Sequence, residues 1–163
     1  MLVTSKFRTK VAGPVVIIVM IIALVALISY IWSENPEAPW LPMVAFYVPM
    51  AVLGLMMIFG ELRRRTIKVT IDSETITVRR YLGWGREELH FLNAFEGYHT
   101  TQLQSRYGSY EYLYLMQQGK KVIKLSEFYH KNYNELKEAI ATKVKFAGNV
   151  QYSWSREMKE FFQ

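Results

Sequence analysis

The residue types that most often carry catalysis or bind metals are sparse in this sequence, and their spacing suits neither task. The three histidines, His90, His99 and His130, lack the i,i+4 helical spacing and the paired carboxylates of a metal site. Glu87 and Glu88 are adjacent, so on a strand they point to opposite faces and cannot form an acid–base pair. The chain has no cysteine, no glycine-rich phosphate loop and no nucleophile elbow. We therefore expect neither an enzyme nor a protein that holds a metal or cofactor.

Positive charge is the chemistry that the sequence does offer, since its formal net charge is +6. Lys68, Arg79, Arg80 and Arg86 fall on or beside predicted strands, where they could meet anionic phospholipid headgroups at about 1 kcal/mol per charge. The arginines at 63–65 have a simpler explanation, because they follow an apolar run and obey the positive-inside rule. We expect no nucleic-acid binding, because the positive charge is too diffuse to form a basic platform.

Tyrosines are the second candidate recognition feature. Tyr110, Tyr112 and Tyr114 alternate along one predicted strand, within an aromatic set larger than a small barrel core easily buries. Because tyrosine is enriched at protein interfaces, we expect a protein partner or self-association through a sheet edge near these residues. The alternative is a tyrosine-rich core whose hydroxyl groups lie at its rim.

The C-terminal tail, residues 148–163, is amphipathic. Trp154 and Phe161 fall on its apolar helical side, and charged residues occupy the rest. Such a segment could lie on the membrane surface, pack on a partner, or pack on its own domain.

Two uncharged apolar runs precede all of these residues. Residues 11–32 would form a helix about 33 Å long, enough to cross a hydrocarbon core of about 30 Å. Residues 40–60 form a second such run after a short loop that contains two prolines. A cleaved signal peptide would have a shorter apolar core, of about 7–15 residues. We therefore predict two transmembrane helices joined as a hairpin.

The flanking charges predict how this hairpin is oriented. Lysines and arginines lie before the first run and after the second, whereas the loop at 33–39 has none. Positively charged flanks stay on the cytoplasmic side of a membrane. The sequence thus predicts a multi-pass protein of the inner, or plasma, membrane with both termini in the cytoplasm.

After residue 65 the pattern changes to an apolar–polar alternation with a period of two, which indicates half-buried strands. Asn132 is then a plausible N-cap of an amphipathic helix that Gly148 would end. The predicted division is 1–65 for the N-terminus and hairpin, 66–147 for a mostly β domain, and 148–163 for the tail. Six strands are predicted, at residues 67–71, 75–81, 86–91, 95–104, 110–117 and 121–126.

Three segments carry a family resemblance: IKVTIDSETITVRRYLGWG at 67–85, REELHFLNAFEG at 86–97 and KVIKLSEFYHKNYNELKEAI at 121–140. Six short antiparallel strands followed by one helix resemble the pleckstrin-homology-like (PH-like) barrel. The whole chain resembles bacterial membrane proteins that carry a PH-like domain after two transmembrane helices. The PH fold has seven strands and six are found here, so either the fourth strand is two or the barrel is incomplete.

The resemblance implies a binding or scaffolding role rather than a reaction. Our first hypothesis is a membrane-anchored protein-interaction module, as an accessory subunit of an inner-membrane complex or a homo-oligomer. The alternative is a sensor of anionic lipid headgroups that uses the basic residues above. A remote alternative is a membrane hydrolase whose site the sequence does not reveal.

Overall fold

The computed structural model describes residues 2–35, 37, 39–105 and 108–151. Two long helices come first: α1 spans Ala12–Ser33 and α2 spans Trp40–Met56, continued by a π-helical segment over Met57–Leu62. Both are long and apolar enough to cross a membrane, and almost none of either stretch is buried inside the molecule. They contact each other where Ser29 Oγ lies 2.6 Å from the Tyr47 hydroxyl and the Trp32 ring meets Tyr47 edge-on. The predicted pair of apolar helices is thus confirmed.

The rest of the chain forms two four-stranded sheets and one short helix, α3, over Tyr133–Ala141. The first sheet has the order β1-β2-β3-β4 and the second the order β7-β6-β5-β8. All neighbours are antiparallel except β5 and β8. The strands are Val3–Thr4 (β1), Lys68–Ile71 (β2), Thr75–Arg79 (β3), Glu87–Phe91 (β4), Gly97–Ser105 (β5), Gly108–Gln117 (β6), Lys120–Ser126 (β7) and Phe146–Asn149 (β8).

The hydrophobic core lies between the two sheets and α3. Val69 and Ile76 face it from the first sheet, Leu113 and Leu125 from the second, and Leu136 from the helix, each with no exposed surface. Burial of such a side chain contributes about 1.5–3 kcal/mol. The alternation in the sequence therefore places one face of most strands inward, as predicted.

The fold departs from the prediction in two places. The strands form two separate sheets, and among the described strands no pairing closes them into one barrel. The helix prediction to Gly148 is wrong, because α3 ends at Ala141 and Gly148, with a φ of 111°, lies in β8. The chain turns back there because β8 pairs in parallel with β5 and the Phe146 ring packs 5.2 Å from that of Tyr98.

The N-terminal residues belong to the β domain rather than to the helical hairpin alone. Val3 pairs with Ile71 and Thr4 with Thr70, so β1 forms one edge of the first sheet. Ser5 extends this pairing, since its N–H donates to the Val69 carbonyl at 2.7 Å. The two added strands, β1 and β8, lie at or beyond the limits of the predicted domain, 66–147, which explains why only six were found in it.

Asn132 links the same N-terminal segment to the start of α3. It occupies the predicted N-cap position, but its side chain makes no capping hydrogen bond. Instead its Oδ1 accepts from the Lys6 N–H at 2.7 Å and its Nδ2 donates to the Thr4 carbonyl at 3.0 Å. Residues 3–8 are therefore held from both sides, by β2 and by the chain that leads into α3.

Candidate functional site at the base of the hairpin

The first joint between hairpin and domain is at Glu61, in the π-helical end of the second apolar stretch. Its Oε2 accepts a hydrogen bond from the Tyr129 hydroxyl at 2.8 Å, and its Oε1 pairs with Arg65 at 2.7 Å. Burial, together with the nearby carboxylate, raises the pKa of the Tyr129 phenol, which therefore stays protonated as a donor. The Tyr129 carbonyl in turn accepts from the Arg8 N–H at 2.8 Å. Tyr129 thus connects both ends of the hairpin.

The second joint is a shallow groove beside the start of α1. Lys10 Nζ donates to the Tyr110 hydroxyl at 2.8 Å and lies 4.7 Å from the ring centroids of both Tyr110 and Phe128. The two rings meet edge-on at 5.0 Å, and Thr9 and Gly13 complete the lining. Tyr110 is therefore only partly buried and contacts the cationic flank of the first apolar helix.

The other two candidate tyrosines are not on a surface. Tyr112 and Tyr114 are only 4% and 3% exposed, and their strand β6 lies between β5 and β7 rather than at an edge. The Lys124 ammonium lies 4.7 Å from the Tyr112 centroid, and the Lys121 ammonium 4.4 Å from that of Tyr114. The sheet edge expected near 110–114 is therefore not an edge in this fold, and a partner contact of these residues stays a prediction. These two rings belong to the buried set, as in the tyrosine-rich core that was the alternative.

Two of the four candidate basic residues are paired across the β3–β4 hairpin. Arg79 pairs with Glu87, and Arg80 forms a bidentate pair with Glu88 at 2.8 and 3.0 Å. The hydrogen bonds from Arg80 lower the pKa of Glu88, and Glu88 raises that of Arg80. The register of the hairpin places Arg79 directly opposite Glu87, whereas Glu88 is opposite Val78 and reaches Arg80 diagonally. Their charges are consequently less available to an anionic ligand.

Lys68 and Arg86 remain exposed, and they flank a feature that the sequence reasoning missed. Residues 81–85 form a tight turn, here called the Trp84 loop, in which the Trp84 side chain is 93% exposed. Tyr81 and Leu82 adopt positive φ angles of 51° and 61°, a conformation that costs about 1–2 kcal/mol per L-residue. The sequence signal for this exposed ring was Gly83-Trp84-Gly85, a tryptophan between two glycines in a turn.

A short apolar surface runs along the outer face of β4. Leu89 and Phe91 are 59% and 55% exposed, whereas Glu88 and His90 point to the less exposed side. β4 is the last strand of its sheet, and among the described strands only β3 pairs with it. This edge therefore combines exposed apolar side chains with backbone groups that no other described strand pairs.

The three histidines lie in different surroundings. His90 Nε2 is 3.9 Å from Glu88 Oε2, His99 Nδ1 is 3.2 Å from the Gly148 carbonyl, and His130 is buried between two backbone carbonyls. Within the described part of the chain, no group of three or more His, Asp or Glu side chains could hold a metal ion.

The remaining candidates, Trp154 and Phe161, lie outside the described residues. Comparison of the chain with family models, curated proteins and solved structures gives no match.

Proposed function

We propose that this protein is a membrane-anchored interaction module that presents its β domain at the cytoplasmic face of the inner membrane, as an accessory or scaffolding subunit. The observation that carries this proposal is the pairing of β1 with β2, which ties the chain before the first helix to the chain after the second. Contacts of Glu61 with Tyr129 and of Lys10 with Tyr110 add two further joints. A domain held in this way keeps a fixed height above the membrane and a fixed orientation. Both favour the binding of a partner that lies in or on the same membrane. The PH-like identity is part of the same proposal.

The partner surface that the geometry favours is the β4 edge. Edge strands offer unpaired N–H and C=O groups, and proteins commonly bind partners by adding a strand there. Leu89 and Phe91 are exposed and would make apolar contacts with a partner. Each Å² of apolar surface removed from water in this way contributes about 25 cal/mol. This surface replaces the 110–114 edge expected from the sequence.

Purification of the tagged full chain from native membranes tests the proposal. We expect a stoichiometric companion, or a second copy of the chain, that is lost in the double variant Leu89→Ser with Phe91→Ser. Leu2→Ser is the matched control, because Leu2 is 68% exposed and lies away from β4. Recovery of the protein alone from several mild detergents, or retention of the companion by the double variant, would contradict the proposal.

A sensor of anionic lipid headgroups is the second candidate. The exposed charges of Lys68 and Arg86 support it, whereas the ion pairs of Arg79 and Arg80 reduce the charge that the surface can offer. If lipid charge is sensed, the unfolding midpoint of the full chain should rise in anionic nanodiscs and fall back with salt. Equal midpoints in neutral and anionic discs would exclude this candidate.

A further inference from the structure

The Trp84 loop lies beside the point where the chain leaves the second apolar helix. The Leu82 N–H donates to the Thr66 carbonyl at 2.8 Å, and Thr66 Oγ1 donates to the Leu62 carbonyl at the helix end at 2.8 Å. The Lys68 side chain covers Gly83, since a Cβ built there would lie 3.0 Å from its Cδ. The loop is therefore fixed to the end of the hairpin rather than to the far side of the domain.

This position sets the height of the loop above the bilayer. Thr66 follows the last residue of the predicted apolar run, Gly60, by six positions, which would be about 9 Å at the rise of a helix. The headgroup layer of one leaflet is about 5–7 Å thick, the difference between the whole bilayer and its hydrocarbon core. A side chain on this loop that points toward the bilayer therefore lies within reach of that layer.

The composition of the loop suits such a layer. Tryptophan has an apolar body and one polar N–H, and it is enriched where membrane meets water. Exposure of 93% is unusual for the largest apolar side chain, and the described residues leave Trp84 almost uncovered. Lys68 and Arg86, both exposed, provide positive charge next to the ring. An anionic headgroup region matches both the charge and the amphipathic ring.

We propose that Trp84 inserts into the headgroup region of the bilayer that holds the hairpin, with Lys68 and Arg86 meeting anionic phosphates beside it. The inference rests on the membrane anchoring in the proposed function but needs no protein partner. Trp84 would then act as a further point of support near the joint at Glu61 and would limit tilting of the domain. Residues 81 and 82 would adopt their left-handed conformation to aim the ring.

Tryptophan fluorescence of the full chain in lipid nanodiscs tests this directly. In a variant with Trp32→Phe, Trp40→Phe and Trp154→Phe, the remaining emission reports Trp84. In the matched control Trp84→Phe is added and Ser73→Trp places the ring in the exposed turn at the opposite end of the same sheet. A lipid with a spin label on its headgroup should quench Trp84 several-fold more than a tryptophan at position 73. Equal quenching would overturn the proposal.

The charge component has its own test. Trp84 quenching should be stronger in discs with phosphatidylglycerol than in purely zwitterionic discs, and Lys68→Gln with Arg86→Gln should remove the difference. The absence of native cysteines allows a second probe should the single-tryptophan variant misfold. An environment-sensitive dye on Arg86→Cys should shift to the blue in nanodiscs, and the same dye on Ser73→Cys should not.

The outcomes separate this inference from the proposed function. Shielding of Trp84 in native membranes but not in pure lipid discs would mean that a protein covers the ring, which overturns the inference and leaves the interaction module standing. Quenching of Trp84 in pure lipid discs, with no companion protein in the purification, would support the insertion of Trp84 and contradict the interaction module.

Discussion

At the scale of single residues, the hydrogen bond from Tyr129 to Glu61 is the joint most open to test. Its acceptor is a carboxylate, and such bonds contribute about 1.5–3 kcal/mol. We expect Tyr129→Phe to lower the free energy of unfolding by about that amount, because the Glu61 carboxylate loses the hydroxyl that donates to it and keeps only Arg65 among the described side chains. The midpoint of thermal unfolding in detergent measures the loss. Tyr30→Phe is the control, since Tyr30 is 66% exposed on α1, and equal midpoints for both variants would contradict the prediction.

From the surroundings of His130 we predict that the free energy of unfolding depends on pH. Its ring nitrogens each lie 2.9 Å from a carbonyl oxygen, of Ile67 and of Ser126, but burial dominates and lowers the pKa of the imidazole from its usual 6.5. The unfolded chain therefore binds more protons than the folded one below about pH 6.5. The stability from neutral His130 is present above that pH and is lost as the pH falls toward the folded-state pKa.

The expected result is a midpoint of thermal unfolding that falls between pH 7.5 and 5.5 in the native sequence and changes less in His130→Asn. The pKa of Glu88 is lowered from its usual 4.5, so the titration of Glu88 does not change the midpoint between pH 7.5 and 5.5. A slope of the same size in both proteins would show that another group is responsible.

At the scale of elements, the turn between β6 and β7 offers a stabilising change. Gln118 and Gly119 have φ angles of 52° and 68°, as in a type I′ turn. Asparagine tolerates positive φ better than glutamine, so Gln118→Asn should raise the free energy of unfolding by up to about 1 kcal/mol. Gly119→Ala should have the opposite sign although its Cβ would meet no atom within 4 Å, because the loss is purely conformational. Thermal midpoints that move in the same direction would contradict this assignment.

The elements also show what the sequence could predict. The alternation over 67–126 indicated all six central strands within a few residues, and five of them turn one face toward the core, whereas no residue of β4 is buried. β1 is two residues long and pairs across more than sixty positions, so no local pattern marks it. β8 lacks alternation and contains Gly148, and only its contact with β5 makes it a strand. The site followed the same rule, since the cross-strand partners of the arginines required a register that periodicity alone does not fix.

At the scale of the whole molecule, the membrane orientation is the first expectation to test. The chain has no cysteine, so single cysteines report sidedness without background. In intact cells a membrane-impermeant maleimide should label Asn35→Cys, in the loop between the helices, and should label Thr70→Cys only after the membrane is opened. The physical reason is the clustering of lysine and arginine on the outer flanks of the hairpin. Labelling of position 70 in intact cells would reverse the orientation.

The pairing of β1 with β2 makes a prediction for the hairpin and domain as one body. Thr4 and Thr70 are direct partners with their hydroxyl oxygens 3.4 Å apart, and opposed residues of an antiparallel pair bring Cβ atoms within about 4.5–5.5 Å, near disulfide range. Thr4→Cys with Thr70→Cys should therefore form a disulfide with mild oxidant in membranes. Thr77 lies one strand further, opposite Thr70, so Thr4→Cys with Thr77→Cys should not. Cross-linking of both pairs, or of neither, would mean that the N-terminal strand is not held in this register.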